Sequence, residues 1–418
     1  MNRLTFNPAS AADADADAAP DRPWTWRGQI QRALAPLHRG SLDLTLPNGE
    51  RVSLRGRLDG AHATVHVHRW RALRRLLAQG DLGWAESYCD GDWSTPDLFG
   101  VLEFGLGNEG ALNRTLPGSW LARGWTRLRH LLNANTPAGS RRNISAHYDL
   151  GNAFYRAWLD PRMIYSSAIY APGDLSLEEA QQRKLSRIES LLQLQGGDRV
   201  LEIGCGWGAL AMAMAQHEDV HVTGVTLSRE QLAHANAQVD AAGLGQRVEL
   251  RLQDYRDVEG SYDRIVSIEM LEAVGQAYWP RYFQTLRERL KPGGLAVVQV
   301  ILIDDAHFDS YSRNPDFIQR HVFPGGMLPC DAALRAQAKQ AGLQLECTDR
   351  FGASYAQTVH EWRQRFEAAW PQVRPLGFDE RFRRMWRYYL SYCEVGFRSE
   401  RIDVALYRIT HSPQGETD

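Results

Sequence analysis

Apolar side chains change their spacing along this chain, and each change marks an element. Residues 41–46 and 51–58 alternate apolar and polar positions on either side of Pro47-Asn48-Gly49, which predicts a β-hairpin. Residues 63–67 follow as a third strand. Trp70, Leu73, Leu76 and Leu77 then line one face of a short helix, with Arg71, Arg74 and Arg75 on the other. Together these predict a small α+β unit over residues 24–120, behind an Ala/Asp-rich leader, 1–23, too poor in apolar side chains to offset chain entropy. Trp84, Tyr88, Trp93 and Phe99 serve its second half either as core or as a surface for an acyl chain or partner.

Residues 121–142 are basic (Arg123, Arg127, Arg129, Arg141, Arg142) and broken at Pro137-Ala138-Gly139, which makes them the expected linker. Such a segment is either a solvated face or a patch for anionic lipid, worth about 1 kcal/mol per basic residue at a membrane surface. Past it, over residues 143–418, the pattern becomes βα alternation. Helices are expected at 181–194, 209–215 and 231–241, and strands at 200–203, 220–225, 248–252 and 262–268. Tyr282, Phe283, Leu286 and Leu290 give one more helix its buried stripe, Lys291-Pro292-Gly293-Gly294 stops it, and residues 295–301, 343–348 and 404–409 complete the strands. The fold class is α/β: a doubly wound, mostly parallel seven-stranded sheet after a small α+β N-terminal domain.

Composition narrows the classes. At 418 residues two domains are the default, and a net charge of −2 gives no general signal for nucleic acid. The most apolar run, 295–303, is interrupted by Gln299 and has the length of a core strand, while the first residues lack the basic start and apolar stretch of a secretory signal, so a cytoplasmic location is expected. Five cysteines without a CxxC pair argue against a disulfide framework or a metal site.

Candidate chemistry collects where strands end. After strand 200–203, Gly204, Gly206 and Gly208 let the backbone approach a ligand, and the next helix offers its free N–H groups. Glycine spacing alone also suits a dinucleotide, but strand 220–225 ends in Thr226-Leu227-Ser228 with Gln231 one turn on, and no carboxylate stands there for an NAD ribose. Gln253 and Asp254 follow strand 248–252 and could meet an adenine. Glu269 and Glu272, three apart, follow strand 262–268; one could be solvated, and Glu272 is the functional candidate. Trp362, Phe366, Trp370, Phe382, Trp386 and Tyr389 interleave with Arg363, Arg365, Arg381, Arg383, Arg384 and Arg387, which suits either a membrane interface or a core with a solvated face.

Glu202 before the glycine turn resembles motif I of the S-adenosylmethionine (SAM) methyltransferases. With His147-Tyr148-Asp149-Leu150-Gly151-Asn152, Tyr165-Ser166, Asp263 to Ser267, Glu272 and Phe323-Pro324-Gly325-Gly326, nearly the whole chain resembles the cyclopropane-fatty-acyl-phospholipid synthases and mycolic-acid cyclopropane synthases. The resemblance implies SAM binding at Tyr165, Ser166, Gly204, Gly206, Thr226, Ser228, Gln231, Gln253 and Asp254, and transfer of the methyl to an unsaturated phospholipid acyl chain by a peripheral, reversibly membrane-bound enzyme. It also implies a bicarbonate that takes a proton from the transferred methyl. Glu272, Ile301 and Tyr355 match its site, whereas Ser167 and Gln299 stand at the usual cysteine and histidine positions. Cys393 matches a cysteine suspected as a nucleophile, in a setting of Tyr388, Tyr389 and Tyr392 that also fits a buried thiol. Cyclopropanation is the expected outcome; a methyl- or methylene-branched chain, a small-molecule acceptor, a lipid-binding role without catalysis, and a homodimer stay open.

Overall fold

The computed structural model describes Gly28, Ile30, Leu34 and residues 36–115, 150–173, 176–217 and 219–413. The expected leader, the basic linker and His147 to Asp149 lie outside the described residues.

Four strands form the first sheet, in the order β2-β1-β3-β4: β1 Arg39–Thr45, β2 Arg51–Arg55, β3 Leu58–Val67 and β4 Trp93–Ser94. β1 and β2 pair antiparallel around the Pro-Asn-Gly turn, with Leu44 opposite Val52, while β3 returns along the other edge of β1 in parallel. Gly40 makes this register possible, because a Cβ there would sit 2.2 Å from the Ala61 carbonyl oxygen. The helix expected around Leu73 runs over Arg71–Cys89 and breaks at Gly80 (φ 65°, ψ −142°), which brings Trp84 and Tyr88 inward. Trp93 is buried and stacks on Trp84 at 4.4 Å between ring centres, so these aromatics are core. Phe99 lies beneath the Arg398 guanidinium at 5.4 Å.

The second sheet has seven strands in the order β10-β11-β9-β8-β5-β6-β7: β5 Arg199–Ile203, β6 His221–Thr226, β7 Val248–Leu252, β8 Tyr262–Ile268, β9 Leu290–Ile303, β10 Leu343–Arg350 and β11 Ile402–His411. β7 through β9 are parallel, and β11 and β10 add antiparallel strands at one edge. Near-continuous burial of Val200, Leu201, Ile203, Ile265, Val266 and Ala296 to Val298 is what a parallel sheet covered on both faces requires. Winding starts at β5, goes outward through β6 and β7, then reverses to β8, so the carboxyl end of β5 is the switch point where a ligand crevice opens. One boundary differs from expectation. Leu290 already pairs with Tyr262, and Lys291 to Gly294 is a bulge inside β9 rather than a helix stop; Gly294 fits because a Cβ would meet the Asp263 carbonyl at 2.9 Å.

Helices Gly352–Val373 and Glu380–Arg398 close one side of the sheet and carry the aromatic and basic mixture. Trp362, Phe366, Trp386 and Tyr389 are buried. The arginines are paired within the protein: Arg365 with Glu178, Arg363 with Glu394, Arg383 with Glu367, and Arg381 with Asp90 on the N-terminal element. Of the two roles open to this region, the geometry supports core packing with an ion-paired outer face.

Candidate active site

The turn after β5 is built as its glycines demand. Gly204, Gly206 and Gly208 have φ of 85°, 52° and 87°, a region that side chains with a Cβ avoid. A Cβ at Gly208 would come within 3.1 Å of Ala235, whereas at Gly206 nothing stands within 4 Å, because the loop there faces open space. That space is a cavity over the switch point, lined by Tyr165, Glu202, Trp207, Gln253 and Glu269 among others.

The residues expected to hold SAM divide into two groups. Tyr165, Ser166, Gly204, Gly206, Thr226, Gln231 and Gln253 border the cavity. Ser228 and Asp254 do not. The Ser228 hydroxyl accepts the Gln231 N–H and caps helix Arg229–Ala241, and Asp254 is drawn into a 2.6 Å ion pair with Arg256 while capping its own turn. Both are short polar residues at strand ends, where local backbone N–H groups compete with any ligand. Thr226 Oγ1 donates to Gln231 Oε1 at 3.0 Å, so this pair forms a fixed polar wall.

Glu202 and Lys184 bring buried titratable groups to the same cavity. Burial raises the Glu202 carboxyl to about 8 and pulls the Lys184 ammonium down to about 8, with each charge partly opposing the other's shift. Lys184 donates to Ser166 Oγ at 2.7 Å, and Glu202 Oε2 is buried with no hydrogen-bond partner among the described residues. An orphaned acceptor, glycine-loop access and the aromatic faces of Tyr165 and Trp207 together fit a cationic nucleoside such as SAM. Lys184 was not singled out from the sequence; its helical stripe gave no reason to separate it from solvated lysines.

The two carboxylates after β8 have different surroundings. Glu269 is the one that reaches the cavity. Its Oε1 accepts the Ser167 N–H at 2.9 Å and Gln299 Nε2 at 2.7 Å, and its Oε2 accepts the Tyr355 hydroxyl at 2.6 Å. Its backbone holds φ of 50°, which for a non-glycine residue costs on the order of 1–3 kcal/mol and persists only where surroundings fix it. Glu272 lies behind, accepting the Ile301 N–H at 2.5 Å; its other oxygen is buried without a partner among the described residues. Burial first, and then the neighbouring Glu269 charge, raise Glu272 to about 8, so near pH 7 it holds a proton. Glu269 is also raised by burial, but its hydrogen-bond donors and Lys184 oppose the shift, and three donors on its two oxygens are the surroundings that suit an ionised carboxylate. Thus Ser167, Gln299 and Tyr355 are brought together as expected, but around a side chain. The Ser167 hydroxyl turns away to the Ala168 carbonyl.

Cys393 is a buried thiol whose pKa is pushed far up by desolvation and by Asp316 and Glu269, surroundings that disfavour a thiolate. Its setting suits the packing alternative.

The comparisons with known proteins agree with this geometry. A family profile described as mycolic acid cyclopropane synthetase matches residues 136–407. The chain belongs to that family. It is an enzyme, a SAM-dependent methyltransferase, and SAM is its methyl donor. This family member is 39% identical over 360 residues to tuberculostearic acid methyltransferase of Mycobacterium tuberculosis, spanning 84% of the chain and 83% of that protein. It is 38% identical to the cyclopropane-fatty-acyl-phospholipid synthase of Escherichia coli K12 over 84% of the chain and 88% of that enzyme. Among solved structures, the cyclopropane synthase MmaA2 from M. tuberculosis superposes with a TM-score of 0.60 at 30% identity, covering 64% of this chain and 97% of that one. A mycolic acid cyclopropane synthase complexed with SAH gives 0.59 at 29% identity, with coverage of 64% and 97%. The relatives are cyclopropane synthases and fatty acid methyltransferases, so the activity is SAM-dependent modification of lipid.

Proposed function

We propose that this enzyme transfers the methyl carbon of SAM to the double bond of an unsaturated acyl chain carried on a phospholipid and closes a cyclopropane ring. The observation that carries the reading is the buried anion Glu269 at the wall of the SAM cavity. Methyl transfer to oxygen or nitrogen needs a base at most, whereas an alkene becomes a carbocation, whose charge a fixed buried anion would stabilise. Bound SAM supplies an electrophilic methyl on a sulfonium centre. The glycine loop would admit that ligand, Glu202 offers it an unpartnered oxygen, and Tyr165 at the cavity wall packs in an aromatic cluster with Tyr155, Trp158 and Trp362, ring centres 5.2–5.9 Å apart. A weak nucleophile then reacts because it is held in line, a gain that reaches effective molarities of about 10⁵–10⁸ M.

Phospholipid as the carrier is supported by the E. coli relative's name, and reversible contact with a membrane by the arginines of residues 121–142. Likeness to tuberculostearic acid methyltransferase favours a second outcome, a methyl- or methylene-branched chain after the same first step. Incubation with vesicles of monounsaturated or fully saturated phospholipid and labelled SAM tests the acceptor. Label should enter only the unsaturated lipid, with loss of its olefin. Equal labelling of both, or of neither, overturns the proposal.

A further inference from the structure

We infer that Glu269 is the enzyme's own proton acceptor, a tethered carboxylate that does the work a bound bicarbonate would otherwise do. The inference rests on the alkene reading above. Three donors converge on the two oxygens of this side chain: the Ser167 N–H, Gln299 Nε2 and the Tyr355 hydroxyl. A bicarbonate offers the same pair of oxygens to the same donors, so the two anions are alternatives for one place. The remaining donor of that expected set, the Ile301 N–H, is taken by Glu272. With every donor engaged and the volume filled by a side chain, the site does not fit bicarbonate.

The side chain is held for the task. Strand β8 ends at Ile268, and the Glu269 N–H donates to the Gln299 carbonyl at 2.8 Å, so the residue keeps a strand partner while its φ of 50° swings the carboxylate toward the cavity. Gln299 therefore fixes both the backbone and the side chain of Glu269. Its amide carries no ionisable proton to compete with the carboxylate for the reaction's proton, which makes a neutral residue there consistent with an internal base. Lys184 adds positive charge on one side, and Glu272 behind, raised to about 8, holds a proton near pH 7.

The step balances as follows. After transfer, the acyl chain carries the new methyl on one former alkene carbon and a positive charge on the other. A Glu269 oxygen takes a proton from that methyl. The electron pair of the broken C–H bond forms the second ring bond at the cationic carbon. Glu269 leaves the step protonated, and the proton passes to water once the product has left and the cavity refills. No co-reactant besides SAM and the alkene is consumed.

The test uses the full-length enzyme, monounsaturated phospholipid vesicles and labelled SAM in buffer stripped of carbon dioxide. Wild type should turn over at its full rate there, with no gain on adding bicarbonate. Glu269→Gln keeps the shape and two hydrogen-bonding positions but removes the basic oxygen, and kcat should fall about 10²–10⁴-fold while SAM affinity, read by calorimetry, holds. Glu269→Gly empties the site at a φ that glycine prefers, and added bicarbonate or formate should restore part of its rate. Wild type that stalls without bicarbonate and recovers with it overturns the proposal, as does Glu269→Gln at the wild-type rate. Should both variants lose SAM binding through misfolding, the bicarbonate response of wild type decides alone. Wild type that labels no lipid under any condition overturns the alkene reading and this step with it, an outcome distinct from a failed base.

Discussion

Gly204→Val should weaken SAM binding by a calculable amount. Gly204 has φ of 85°, and its N–H donates to the Val225 carbonyl at 2.9 Å, which ties the native turn to the end of β6. Valine is strained there by roughly 1–3 kcal/mol. Its Cβ would also lie 3.1 Å from Met270 Cγ and 3.4 Å from Met270 Cβ, on the residue that follows Glu269. Strain present equally in free and bound protein lowers stability without touching affinity. The expectation for Gly204→Val is that the free loop relaxes to negative φ and the ligand must restore the native turn, so that the strain appears in binding as a loss of about 5- to 150-fold. A control separates the two effects: Gly293 has φ of 76° with nothing within 4 Å of its Cβ position, in the β9 bulge away from the cavity, so Gly293→Val should lower the melting temperature and leave affinity unchanged. Calorimetric titration with SAM reads both. Wild-type affinity in Gly204→Val would refute the claim that this turn is shaped around the ligand.

Other consequences follow from the carboxylate pair and its neighbours. Tyr355→Phe removes the 2.6 Å donor to Glu269, a charged hydrogen bond worth about 1.5–3 kcal/mol; kcat/KM should drop about 10- to 100-fold with SAM affinity retained, and an unchanged rate would remove Tyr355 from the site. Glu272 takes up its proton more tightly when folded (about 8) than when unfolded, so its contribution is fully present below its ordinary value of 4.5 and is lost as pH rises through 8. Melting curves from pH 5 to 9 should therefore show wild type losing ground to Glu272→Gln as pH increases, and a gap that widens in favour of wild type would reverse the assignment. Cys393→Ser should keep activity within about tenfold, since the thiol is buried and protonated; a loss beyond about 10³-fold would return it to the chemistry.

The sheet was readable from the chain because β5, β8 and β9 carry short apolar runs buried on both faces, while β7 at the edge alternates apolar and polar positions, both patterns that strands impose. The N-terminal hairpin announced itself through Pro47-Asn48-Gly49, but the parallel pairing of β3 with β1 did not, since it depends on a close backbone approach at Gly40. Lys291 to Gly294 reads as a stop signal, and only cross-strand pairing of Leu290 shows that it is a bulge. Within the site, the glycine turn was legible because φ above zero selects glycine. Ser228 and Asp254 carry the same polar signal whether they cap a turn or meet a ligand, and here local N–H groups win. The division of labour between Glu269 and Glu272 was out of reach. Their spacing suggests a shared face, whereas a left-handed backbone at Glu269 sends one into the cavity and the other behind it. The neutral Ser167 and Gln299 were the available hint that the anion had changed.

The central claim, that the methyl carbon of SAM becomes a ring carbon, is tested most directly by counting deuterium. The enzyme is given monounsaturated phospholipid and SAM carrying a CD₃ group, and the fatty esters are analysed by mass spectrometry together with an assay for remaining double bonds. The account predicts a product that retains two deuteriums and has no olefin, the third having been lost to Glu269. A product that retains all three deuteriums, or two with a double bond still present, would contradict it.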